Sequence, residues 1–104
     1  MAPPPKNRNE TDPVIAALAH GLRSEILRHC GAAASSPKDI AERIQEPIGN
    51  VSYHTRVLAE AGLLKQDRLE PRRGAVAHYY VVPPSAKKAI KNAADELAAL
   101  AAAV

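Results

Sequence analysis

A chain of 104 residues provides one core and leaves too little apolar material to fill a second, so a single domain is expected. With no Phe, no Trp and only three Tyr, that core must come from aliphatic side chains, mainly Ala with Leu, Ile and Val. The formal charge is +3, and no apolar run approaches the length of about 20 residues that crosses a bilayer, so no membrane partner is expected.

The polar, Pro-rich start lacks the apolar stretch of a secretory signal. Cys30 is the only cysteine, which excludes an intrachain disulfide and a cysteine-pair zinc site and suits a reducing cytoplasm. Residues 1–11 join Pro3, Pro4 and Pro5 to charged and amide side chains, and are expected to form a disordered arm because they bury too little to offset ordering.

Asp12-Pro13 then presents a side-chain acceptor followed by a residue suited to the first helical position. Val14, Ile15 and Leu18 follow at helical spacing, predicting a first helix to about His20. Gly21 breaks the pattern; Leu22, Ile26, Leu27 and Cys30 restart it, with Gly31 as the expected stop of a second helix. Ser36-Pro37 repeats the cap-then-proline start, and Ile40, Ala41 and Ile44 mark one buried stripe of a third helix over residues 37–44.

After a short turn, Gln45 to Ile48, a fourth helix opens. At about 100° per residue, Ile48, Val51, Thr55, Leu58 and Gly62 gather on one side, predicted to face the core. Gly49, Ser52, Tyr53 and Arg56 project from the other, a surface of small, hydroxyl-bearing and cationic groups. Beyond Gly62 the period becomes two: Leu63 to Glu70 and Ala75 to Val82 read as strands around the turn Pro71-Arg72-Arg73-Gly74. Tyr79 and Tyr80 fall on opposite faces of the second strand, and at least one must be core. Pro83-Pro84 ends the hairpin, Ser85 is placed to cap a last helix, and Ile90, Ala94, Leu97 and Ala101 recur along it as one stripe. That stripe should pack on the first helix or on the same helix of a second copy.

The architecture implied is mainly α with a small β-hairpin: a winged helix-turn-helix of five helices plus a two-stranded wing. A third and fourth helix joined by about four residues is the geometry with which one helix braces while the next enters a major groove about 12 Å wide. Charge agrees in sign: between Lys65 and Lys91 seven basic residues face two acidic ones, Asp67 and Glu70, which is a phosphate-binding footprint or an ordinary solvated face. Arg56 could bond guanine bidentately, Tyr53 could donate to phosphate or pack on a thymine methyl, and Gly49, Asn50 and Ser52 sit where orphan helix amides meet phosphate. Arg72 and Arg73 would reach backbone or minor groove from the hairpin, with Lys38 on the bracing helix. Double-stranded DNA is the partner expected.

The stretches Leu18-Ala19-His20-Gly21-Leu22-Arg23-Ser24-Glu25-Ile26-Leu27, Ser36-Pro37-Lys38-Asp39-Ile40-Ala41, Val51-Ser52-Tyr53-His54-Thr55-Arg56-Val57-Leu58-Ala59-Glu60-Ala61-Gly62-Leu63 and Arg72-Arg73-Gly74-Ala75-Val76-Ala77-His78-Tyr79-Tyr80 together resemble the ArsR-type winged-helix regulators. The likeness runs colinearly over about residues 13–82 and implies a bacterial, dimeric DNA-binding repressor with the fourth helix as reader and the hairpin as wing. Two departures stand out. Gln45-Glu46 replaces the family's Gly and apolar residue, leaving the turn looser or differently capped. Tyr53-His54 replaces a frequent histidine pair, placing Tyr53 at the outward reading position.

Metal sensing, well known in that family, needs clustered thiolates or imidazoles, and His20, His29, His54 and His78 fall in separate elements, with His29 and Cys30 pointing apart as adjacent residues of a helix. No cofactor and no metal are expected; Cys30 reads as a buried structural thiol and His54 as a packed imidazole. No nucleophile, base and acid constellation and no phosphate loop suggests an enzyme. Dimerisation is assigned to Val14, Ile90, Ala94, Leu97 and Ala101. The competing readings are a winged helix that docks on protein, which would carry large apolar residues on the outward face of the fourth helix, and a ligand- or metal-responsive repressor of the same family.

Overall fold

Ser36 shows how the chain builds its elements: its Oγ accepts the Asp39 amide at 3.1 Å, and Pro37 supplies the fixed φ of the first helical position. The computed structural model describes residues 13–102 and contains, in order, α1 (Pro13–Ala19), α2 (Gly21–Ala32), α3 (Pro37–Ile44), α4 (Ile48–Glu60), β1 (Lys65–Arg72), β2 (Ala75–Val81) and α5 (Pro84–Ala102). The expected arm and the cap at Asp12 lie outside the described residues. The mainly α, winged helix-turn-helix architecture predicted from the sequence is the one found.

Five boundaries differ from the periodicity reading. α2 begins at Gly21 and passes through Gly31 to Ala32, since neither glycine takes a left-handed φ and the helix continues. Gly62 is not on the buried side of α4. It lies past the helix end at φ +81, and Leu63 behind it returns its amide to the Leu58 carbonyl at 2.9 Å, closing the last turn. Leu63 and Leu64 are both buried before β1 starts at Lys65, so they belong to the core and not to an alternating strand. The hairpin turn is Arg73-Gly74 alone, with Gly74 at φ +79 and Arg72 paired opposite Ala75 inside the ladder. Finally α5 starts at Pro84, and the Pro83 carbonyl accepts the amides of Ala86 and Lys87, which leaves Ser85 within the first turn instead of capping it.

The turn between α3 and α4 is closed by Gln45, a non-glycine residue at φ 56, whose amide and that of Glu46 both reach the Ala41 carbonyl. Of the two options left by Gln45-Glu46, the turn is therefore differently capped, with a side chain held in a left-handed conformation that costs about 1–2 kcal/mol. α4 follows from Pro47, whose carbonyl accepts Asn50 and Val51.

The core joins Ile26, Leu27 and Cys30 of α2 to Ile40 and Ala41 of α3, Val51 and Leu58 of α4, and Leu63, Leu64, Val82 and Ala86 beyond. Thr55 is buried among them and loses no hydrogen bond, because its Oγ1 donates to the Val51 carbonyl at 2.7 Å. Ile48 departs from its predicted place: it is 52% exposed, since α4 meets the core only from its second turn. α5 packs along α1, with Ala86 and Ala93 buried and Ile90 and Leu97 half-buried, while Ala94 and Ala101 of the expected stripe face outward. No helix among the described residues is long and apolar enough to cross a membrane.

Candidate nucleic-acid interface

Two structural devices position the hairpin. The first is backbone pairing: Ser35, between α2 and α3, exchanges both hydrogen bonds with Tyr80 at 3.0 and 2.9 Å, tying β2 to the start of the helical pair. The second lies on the ladder itself. Arg68, Glu70 and Arg72 share one face of β1 with Tyr79, Ala77 and Ala75 opposite them, and the small alanines leave room for long side chains to meet above them. Arg72 donates to the Tyr79 hydroxyl, the Arg68 guanidinium lies 4.2 Å from the Tyr79 ring centre, and Asp67 and Glu70 hold Arg68 at 3.2 and 3.4 Å. Tyr79 is thus buried beneath arginines, whereas Tyr80 packs on the core cluster from the other face.

This arrangement corrects the reading of the wing tip. Arg73 alone occupies the turn; Arg72 is held at the strand end by a tyrosine for which the sequence suggested no site role. The signal that could have found Tyr79 is register, because a two-residue turn at Arg73-Gly74 puts Arg72 and Tyr79 on the same face.

Lys38 from the first turn of α3, Ile48 from the first turn of α4, and Arg72 and Arg73 from the hairpin all line one hollow of about 680 Å³. Three cations from distant parts of the chain therefore share one concave surface. On α4, Tyr53 (53% exposed), Arg56, Gly49 and Asn50 are exposed, and Ser52 is half-buried. A Cβ built on Gly49 would meet nothing within 4 Å, so the backbone there lies open to close approach. The basic run from Lys65 to Lys91 does not form one surface: Lys87 and Lys91 line a separate hollow between α2 and α5.

Between α4 and α2 lies a cluster that the sequence did not bring together. Arg23 of α2 donates through Nε to His54 Nδ1 at 3.0 Å, the His20 ring stands 4.5 Å away, and the Tyr53 ring meets His54 edge-on at 5.1 Å. Burial, then the neighbouring His20 and Arg23, hold the His54 pKa below its ordinary value. His54 is therefore a packed, neutral imidazole that braces α4 against α2. Cys30 is buried, and burial pushes its thiol up to about 12. Among the described residues no group of three or more His, Cys, Asp or Glu side chains could hold a metal ion.

Residues 18–67 match the family model of a helix-turn-helix domain. The chain has the winged helix-turn-helix fold. Solved structures with the same fold include an ArsR-like transcriptional regulator from a Rhodococcus species, at TM-score 0.63 and 22% identity over 84% of this chain and 75% of that one. A homodimeric winged helix-turn-helix DNA-binding domain from Mycobacterium bovis, a possible ArsR-family transcriptional regulator, aligns at TM-score 0.62 and 20% identity over 96% and 90%. NolR from Sinorhizobium fredii aligns at TM-score 0.61 and 22% identity over 93% and 96%. At such identities the likeness is one of fold, and at that level the resemblance to ArsR-type regulators holds. No curated protein sequence matches the chain.

Proposed function

We propose that this winged helix-turn-helix chain binds double-stranded DNA and regulates transcription, working in a bacterial cytoplasm as a homodimeric repressor without a bound metal. The observation that carries the reading is the common hollow of Lys38, Arg72 and Arg73 beside the start of α4, since cations gathered around the end of an exposed polar helix suit a groove flanked by phosphates. In this reading α4 enters the major groove with Arg56 and Tyr53 toward base edges, Gly49, Asn50 and Ser52 approach phosphate, and Lys38, Arg72 and Arg73 contact the backbone or minor groove. The outward face of α4 favours DNA over a protein partner: Ile48 is its one large aliphatic side chain, and it sits in the cationic hollow.

Dimerisation would use α5 with α1, through Val14, Ile90, Ala94, Leu97 and Ala101. Exposed Ala94, Ala101 and Leu100 (46% exposed) support this, because small residues allow close helix approach around an apolar contact. The homodimeric state of the Mycobacterium bovis domain accords with it. Two copies of α4 would then meet successive major grooves about 34 Å apart. Selection of bound fragments from a random duplex pool by the purified protein tests the reading. Recovery of a near-palindromic sequence is expected; a pool that stays random, with binding that ignores Arg56→Ala, would refute it.

A further inference from the structure

A second hollow, of about 410 Å³, lies between α1, α2 and α5, away from the cationic surface of the hairpin. Its floor is apolar: Leu18, Leu27, Val82 and Ile90. Its rim is cationic, with Lys87 and Lys91 one turn apart on α5 and Arg28 on α2, and no carboxylate lines it. Glu25 holds Arg28 and Asp95 holds Lys91 from outside the lining, the latter pair at 3.1 Å and largely exposed. Surface pairs of this kind are worth little and are readily exchanged. Among the described residues Lys87 has no carboxylate partner at all.

A glycine borders the groove. Gly31 of α2 lies beside it, and a Cβ there would meet only the Val82 side chain, at 3.8 Å. A helical glycine costs stability relative to alanine, and here it leaves this part of the rim without a side chain. Leu18 and Ile90 stay half-exposed in the hollow while Leu27 and Val82 are buried at its floor, and Lys87 is the rim cation with no carboxylate of its own among the described residues. A ligand with an aliphatic chain and an anionic head satisfies both halves: the chain covers the half-exposed Leu18 and Ile90, and the head meets Lys87 and Lys91. The volume lies within the range of small-molecule sites.

We infer that this groove binds an aliphatic carboxylate, a small fatty-acid-like anion taken up free from solution. Ile90 belongs both to the groove floor and to the proposed α5 contact, so occupancy is sensed where a second copy would pack. The site does not depend on the DNA-binding reading.

The test uses the full chain with decanoate, and with decanol and decylamine as neutral and cationic chains of the same length, followed by amide chemical shifts and calorimetry. Decanoate is expected to bind more tightly than either, with shifts confined to α1, α2, the Val82 region and the N-terminal half of α5. Gly31→Leu introduces a helix-favouring residue with a side chain beside the groove; it should weaken decanoate on the order of tenfold, the effect of uncovering a couple of methylenes. Lys87→Gln with Lys91→Gln should weaken decanoate about fivefold while leaving decanol unchanged. Equal affinity for all three chains, indifference to Gly31→Leu, or capture by anionic vesicles without binding of free decanoate would overturn the inference. So would groove shifts that respond to protein concentration and not to decanoate, which would give the groove to a second copy. The unliganded protein's duplex titration is read separately, so loss of this site leaves the DNA reading standing, and the reverse.

Discussion

α4 and the hairpin both border the hollow lined by Lys38, Ile48, Arg72 and Arg73, yet they are held there by different forces. α4 is anchored by Val51, Thr55 and Leu58, all essentially inaccessible, so its outward face follows from apolar packing that extends through the whole core. The hairpin is tied to the body by two backbone hydrogen bonds at Ser35 and by Tyr80 packing on the core cluster, while the polar contacts around Tyr79 lie within the hairpin itself. Such contacts are worth about 1 kcal/mol each. α4 should therefore be hard to move without unfolding the protein, while the hairpin should be adjustable by single substitutions that leave the fold intact.

The most severe break of that contrast is Leu58→Ala, expected to cost about 2–5 kcal/mol in urea unfolding and to weaken DNA binding only by lowering the folded fraction. Arg56→Ala should leave the unfolding midpoint in place and cost about 1–3 kcal/mol of binding at the selected sequence, with little change on unrelated DNA. Equal loss on both would move Arg56 from base reading to phosphate contact. Arg72→Ala with Arg73→Ala should weaken binding across all sequences and reduce the slope of log affinity against log salt by about 2. An unchanged slope would remove the wing from the phosphate surface.

Tyr79→Phe sharpens the comparison within the wing. It removes the acceptor of Arg72 but keeps the ring beneath Arg68, so duplex affinity should fall by about 1 kcal/mol with the salt slope retained, because Arg72 still carries its charge. A smaller effect belongs to the brace behind α4. The folded-state pKa of His54 is held below its ordinary value by burial and by His20 and Arg23, so the unfolded chain takes up this proton first as pH falls. Stability from this group is present above about pH 6.5 and is lost as pH drops through that value toward the folded-state pKa. The urea midpoint of the parent should thus decline between about pH 7 and 5.5 more steeply than that of His54→Gln, and parallel curves would remove the brace.

Local periodicity and turn chemistry were enough to place the elements. Ser36-Pro37, the stripe of Ile40 and Ala41, and the change to period two after Gly62 are short-range patterns, and each element they predicted exists within a few residues. The outward set on α4 was legible for the same reason, since a helix repeats its faces every few residues. Ile48 was misplaced because periodicity states which side a residue takes but not where along the helix the core begins.

What tertiary structure alone decided was which distant residues meet. Lys38 and Arg72 lie far apart in the chain, and the Ser35–Tyr80 bridge with the packing of Tyr80 on the core brings the hairpin carrying one toward the helix carrying the other. Strand register decided that Tyr79 holds Arg72, and helix packing decided that Lys87 and Lys91 leave the DNA-facing charge and surround a groove of their own. A sequence records spacing along one dimension, whereas partnership between side chains depends on closures, turns and packing that join its distant parts.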